Sequence, residues 1–135
     1  MPKKKTIERA REDAREGKSP STQAGEFVRE EIHHVREGKH GARSTQQAIA
    51  IGLSKARRAG VKLPSRKGTK SESRRTTKAS PKRSRAVTRA LKREGKSAAS
   101  HEALSRQATK SARSRGPSKR SAAARKGART RARNR

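Results

Sequence analysis

Ser19-Pro20-Ser21-Thr22-Gln23-Ala24-Gly25-Glu26-Phe27-Val28-Arg29-Glu30-Glu31-Ile32-His33-His34-Val35-Arg36-Glu37-Gly38 is the stretch whose reading decides the fold. Ala24, Phe27, Val28, Ile32 and Val35 follow one another at helical spacing, the stripe of an amphipathic helix. Pro20 suits the first helical turn, where its missing N–H costs nothing, and Gly38 suits a left-handed cap at the other end. One charge, Glu31, falls inside the apolar stripe, and a buried carboxylate is costly unless paired. Lys55, which borders the apolar face of the next helical pattern, is its expected partner.

Reading outward, that next pattern begins at Ser44, where Ser44-Thr45-Gln46-Gln47 fits a capping box with the Gln47 side chain returning to the Ser44 amide. It continues through Ala48, Ile49, Leu53 and Ala56 to a stop at Gly60. Upstream, a weaker helix spans about Thr6 to Glu16, with Ile7, Ala10 and Ala14 on its apolar side and Gly17 after it. The tetrapeptide Arg-Glu-Gly-Lys occurs three times, at Arg15 to Lys18, Arg36 to Lys39 and Arg93 to Lys96, each placed to close a helix. After the third copy, Ser100 to Gly116 parallels Ser44 to Gly60, with Ser105 and Thr109 where Ile49 and Leu53 stand. This second unit has lost its core.

Charge divides the chain. Residues 1–64 hold 15 basic and 8 acidic side chains, whereas residues 65–135 hold 25 basic and only 3 acidic ones. In the second part Ser, Ala, Lys, Arg, Thr and Gly dominate, and Val87, Leu91 and Leu104 are the only larger aliphatic residues. Hydrophobic residues make up 26% of the whole chain, too little to order all of it. The expected fold class is therefore mainly α: a small two- to three-helix head over 1–64 and a long, largely disordered basic C-terminal tail over 65–135. Within the tail, segments 84–95 and 100–115 are expected to become helical on a polyanion and not before. Roughly ten larger apolar side chains at about 1.5–3 kcal/mol each leave the head marginal, so dimerisation or nucleic acid is expected to complete it.

A net charge of +29 requires a polyanionic partner. Membrane attachment needs an apolar span, a lipidation site or a helix with large apolar anchors. The longest apolar stretch, Ala48 to Leu53, is interrupted by Gly52, and no apolar signal segment follows Met1-Pro2-Lys3-Lys4-Lys5, so neither membrane binding nor secretion is expected. Nucleic acid, DNA ahead of RNA, is expected before the other candidate, an acidic protein such as a chaperone. Sequence-specific RNA reading is disfavoured because aromatic stacking platforms are missing, Phe27 being the only aromatic residue and belonging to the core. On the third helix Arg57 and Arg58 lie opposite the apolar side, and with Lys55 and Lys62 they are expected to contact phosphate. In the tail the expected contacts are Arg66, Lys67, Arg74 and Arg75, followed by Lys82, Arg83, Arg85, Arg89, Lys92 and Arg93. Lys119, Arg120, Arg125 and Lys126 come next, then Arg129, Arg131, Arg133 and Arg135. If about ten phosphates are neutralised, affinity falls steeply with salt.

Other chemistries find little support. There is no Cys or Tyr, no phosphate-cradling Gly loop, no converging Ser-His-Asp set, and Asp13 is the sole Asp, so no enzyme, cofactor or small-molecule substrate is expected. Glu30, His33, His34 and Glu37 invite a metal reading, but His33 and His34 point to different sides of a helix, and no metal site is expected. Gln46 and Gln47 at the start of the third helix invite a helix-turn-helix reading with base contacts. Helix-Gly-helix is also the common way to build a small bundle, and Gln47 already has a capping role.

The head, in Ser21 to Ile32, Lys39 to Ser44 and Gln47 to Gly60, resembles a family of small, basic, poorly characterised bacterial proteins often labelled DNA-binding. The tail is similar in character to linker-histone tails, and Ser80-Pro81-Lys82-Arg83 resembles their Ser-Pro-basic elements. The resemblance implies a cytoplasmic, nucleoid-associated protein and brings no catalytic residues. The function expected is non-specific, histone-like binding of double-stranded DNA by phosphate neutralisation. The alternatives are an RNA- or ribosome-associated protein, or an interaction module whose Phe27 stripe docks a partner while the tail only localises it.

Overall fold

A computed structural model describes residues 2–64 and 80–135. Five α-helices occur among them: α1 (Lys4–Arg15), α2 (Pro20–Arg36), α3 (Thr45–Arg58), α4 (Pro81–Arg93) and α5 (His101–Arg133). A single 3-10 turn, Ser97–Ala99, separates the last two, and no strand is present among the described residues.

The three head helices begin and end where local chemistry places them. The Ser19 side chain accepts from the Thr22 amide at 3.4 Å, with Pro20 following at the first helical position. Ser44 accepts from the Gln47 amide at 3.2 Å. The reciprocal half of the expected capping box differs: Gln47 Oε1 accepts from the Arg43 amide at 2.7 Å rather than from Ser44. At the C-termini, Gly17 (φ 73°) and Gly38 (φ 77°) adopt the left-handed conformation. The amides of Lys18 and Lys39 then reach back to the carbonyls of Asp13 (2.9 Å) and His34 (3.0 Å), so the first two Arg-Glu-Gly-Lys copies are helix-closing caps.

Helix α2 lies at the centre and packs against both α1 and α3. Ala24 and Phe27 meet Ala10 and Ala56 in one cluster, with Ile7, Leu53 and Val61 around it. Gly52 makes the α2/α3 crossing close, since a Cβ there would lie 2.7 Å from the Val28 Cα. The Phe27 stripe thus faces inward, with Phe27 itself 1% exposed. The stripe is covered within the head by α1 and α3.

The second core cluster crosses the expected division at residue 64. Ile32, Val35, Ala42 and Ala48 enclose Ala98 and Ala99, and Leu104 packs beside them. Around this contact Arg36 Nε donates to the Ala99 carbonyl at 2.8 Å and Thr45 Oγ1 donates to the Ala98 carbonyl at 2.6 Å. The amides of Gly41 and Ala42 donate to the carbonyls of Leu91 (2.8 Å) and Gly95 (3.2 Å). The third Arg-Glu-Gly-Lys copy therefore has a different job from the first two. Glu94 is extended (φ −73°, ψ 152°), and the segment carries Ala98 and Ala99 into the head.

The expectation of a largely disordered tail is corrected for Pro81–Arg93 and His101–Arg133, which are helical. A sequence that cannot build a core can still build a helix, because Ala, Arg, Lys and Gln are strong intrinsic helix formers. Ser100 caps α5 by accepting from the Ala103 amide at 3.1 Å. Near its middle, α5 is kinked at Gly116 (φ 75°, ψ 165°), with Pro117 starting the following segment. Ser80-Pro81 likewise starts a helix and does not stand as an isolated turn.

Candidate nucleic-acid interface

Helix α4 has no buried residue and no acidic residue. At 100° per residue, Lys82, Arg85, Arg89, Lys92 and Arg93 fall within an arc of about 100°, extending along about 16 Å of axis. Arg83 sits on the other side, beside Ala86, Val87, Ala90 and Leu91. Among the described residues none of these six cations enters an ion pair. In α5, no acidic residue occurs after Glu102, while eleven Lys and Arg lie from Ala103 to Arg133. Lys119, Arg120, Arg125, Lys126, Arg129, Arg131 and Arg133 are all exposed on the segment beyond the kink, as is Arg135 after it.

The head behaves differently, because acids hold many of its bases. Lys18 Nζ lies 2.7 Å from both Asp13 and Glu16, and the hydrogen bond to Asp13, with that to Glu16, raises its pKa. Arg9 meets Glu26 at 3.7 Å, and Lys39 meets Glu37 at 3.1 Å, which lowers the Glu37 pKa. Arg57, Arg58 and Lys62 are exposed at and after the end of α3, as expected of phosphate contacts. Lys55 is not. Its Nζ donates to Glu31 Oε2 at 2.5 Å, and Glu31 is 1% exposed. The expected Glu31–Lys55 pair is present, and for that reason the assignment of Lys55 to phosphate is corrected. Arg66, Lys67, Arg74 and Arg75 lie outside the described residues.

Sequence reading also passed over several groups. Arg106, Lys110 and Arg113 recur at i, i+4 and i+7 along α5 and are exposed, although Arg106 is paired to Glu102 at 2.8 Å. Their helical spacing was the signal that marked them. The start of α3 is covered by the chain's own Ser97–Ala99 turn through the Thr45 hydrogen bond, and Gln47 is tied to Arg43, which leaves Gln46 alone exposed there. That geometry disfavours a base-reading helix.

Beneath the surface, Glu31 gathers more cationic or ionisable partners than the sequence indicated. His40 Nε2 lies 2.6 Å from Glu31 Oε1, and His34 Nδ1 lies 3.7 Å from Oε2. His34 Nε2 is 3.5 Å from Glu30 Oε1, and His40 Nδ1 is 2.9 Å from the Gly41 carbonyl oxygen. Burial lowers the His34 pKa, opposed by the neighbouring Glu31 charge and reinforced by Lys55 and Lys39. His33 and Glu37 are exposed and take no part, while Glu31, His34 and His40, a different set, lie together. His40 belongs to the turn after α2, where helical periodicity says nothing about direction.

No helix among the described residues is long and apolar enough to cross a membrane. Residues 4–67 match the model of a family described as a family of unknown function, DUF6496. No curated protein and no solved structure matches the chain.

Proposed function

We propose that the chain is a nucleic-acid-binding protein that engages double-stranded DNA through its phosphates with little sequence preference, as a histone-like component of a bacterial nucleoid. The observation that carries this reading is α4: six exposed cations, no acid, and no ion pair among the described residues. A helix so charged carries repulsion that a row of phosphates removes. The same holds for α5, where Arg125, Arg129 and Arg133 follow one another at i, i+4 spacing with like charge. Each phosphate contact releases condensed counterions, and this release drives binding without reading bases.

The docked Ser97–Ala99 turn gives this tail a fixed origin. It holds the end of α4 and the start of α5 against the head, so the cations are presented from a folded base. Gly41 and Ala42 bind Leu91 and Gly95 through backbone alone, a link that leaves the α4 side chains outward. The proposed activity is binding.

The test is a fluorescence-polarisation assay of the full chain with a labelled duplex, competed by unlabelled duplex DNA of unrelated sequence and by structured RNA. Equal displacement by unrelated duplexes, at lower concentration than RNA, is the expected result. Preferential displacement by RNA would transfer the proposal to the RNA-associated alternative, and absence of duplex binding in low salt would end it.

A further inference from the structure

We propose that Glu31, His34 and His40 form a binding site for a borderline divalent transition metal, of which zinc is the type case, with the Lys55 ammonium as the resident competitor for the same carboxylate. One ligand atom from each of the three residues lies within 4.8 Å of the others. Zinc bonds of about 2.0–2.2 Å in a tetrahedral arrangement place ligand atoms about 3.3 Å apart. The approaches to the two carboxylate oxygens, 2.6 Å from Oε1 to His40 Nε2 and 3.7 Å from Oε2 to His34 Nδ1, lie on either side of that value.

Two further observations point to a ligand. Glu31 Oε1 is buried and has no hydrogen-bond donor, because His40 Nε2 approaches it without the alignment of a hydrogen bond. An unpartnered buried carboxylate oxygen beside an imidazole nitrogen is a place where a cation fits. In addition, the other nitrogen of His40 already has an acceptor, the Gly41 carbonyl at 2.9 Å, and the other nitrogen of His34 faces the Glu30 carboxylate at 3.5 Å. Outer partners of this kind fix the tautomer and aim the free nitrogen at a metal.

The donor set decides the class of ion. Two imidazoles and one carboxylate suit zinc, cobalt or nickel and offer too few oxygens for calcium or magnesium. Three protein ligands leave one tetrahedral position open to water. Lys55, with its side chain 21% exposed, can swing outward when the ion takes its place on Glu31.

Zinc titration of the untagged full-length chain, in competition with a chromogenic chelator, tests the assignment. One zinc per chain is expected, and cobalt substituted for zinc should give the visible absorption of a tetrahedral complex. In the unsubstituted protein the imidazole proton resonances of His34 and His40, and not those of His33 and His101, should shift with zinc. His40→Gln should weaken binding by at least about tenfold, and Lys55→Met, by removing the competitor, should strengthen it by a similar factor. Resonances of His33 or His101 shifting instead, or zinc binding unchanged in His40→Gln, would overturn the site, as would the lack of any saturable binding.

Discussion

Replacing Gly41 by Ala should detach the second half of the chain from the head while leaving the head folded. A Cβ at position 41 would stand 1.9 Å from the Glu94 carbonyl oxygen and 2.7 Å from that of Gly95. The nearest tolerable carbon–oxygen approach is about 3.3 Å, so the two backbones must separate by about 1.4 Å. No rotamer change relieves a clash between one backbone and another. The Gly41 N–H···O=C Leu91 bond, now 2.8 Å, lies beside the intruding carbon and cannot survive that displacement. With it go the Ala42–Gly95 bond and the anchoring of Ala98 and Ala99, linked by Thr45 and Arg36. Four hydrogen bonds at about 1 kcal/mol each, offset by the freedom regained by the released segment, leave a net loss of about 2–4 kcal/mol. Amide hydrogen exchange reads this directly. Protection of the residue 42 amide should fall by about 30- to 1,000-fold, while the Phe27 and Ala56 amides keep theirs. Unchanged protection at residue 42 would refute the docking geometry.

Glu31→Gln removes the carboxylate shared by Lys55, His34 and His40, and the melting transition followed by circular dichroism should show a loss of about 2–4 kcal/mol; an unaltered midpoint would contradict the buried pairing. Gly52→Ala puts a methyl 2.7 Å from the Val28 Cα, and urea denaturation should report a loss of about 1–3 kcal/mol as α2 and α3 are forced apart. Replacing Arg85, Arg89 and Lys92 together by Ala touches no buried group, so the melting midpoint should hold while the salt slope of duplex binding becomes shallower by about 3.

The head was largely legible because its information is local. The 3.6-residue spacing of Ala24, Phe27, Ile32 and Val35 marks α2, Ser19 and Ser44 mark helix starts, and Gly17 and Gly38 mark helix ends. Even the Glu31–Lys55 contact followed from one charge in an apolar stripe. The docking of the second half was not legible. Its anchors, Ala98 and Ala99, have small side chains without a hydrophobic pattern, and their partners Thr45 and Arg36 stand 53 and 63 residues away. Reading low hydrophobicity as disorder also failed for Pro81–Arg93 and His101–Arg133, where intrinsic propensity suffices for helix without a core. Of the site, charge and exposure were visible in composition. That Lys55 is committed to Glu31, and that His40 folds back onto the same carboxylate, depends on the turn after α2.

The salt dependence of duplex binding tests the electrostatic account most directly. With the five cations of one α4 face and a share of those on α5 engaged, log Kobs plotted against log salt concentration should be linear with a slope of about −5 or steeper. A slope near zero would contradict phosphate neutralisation as the source of binding.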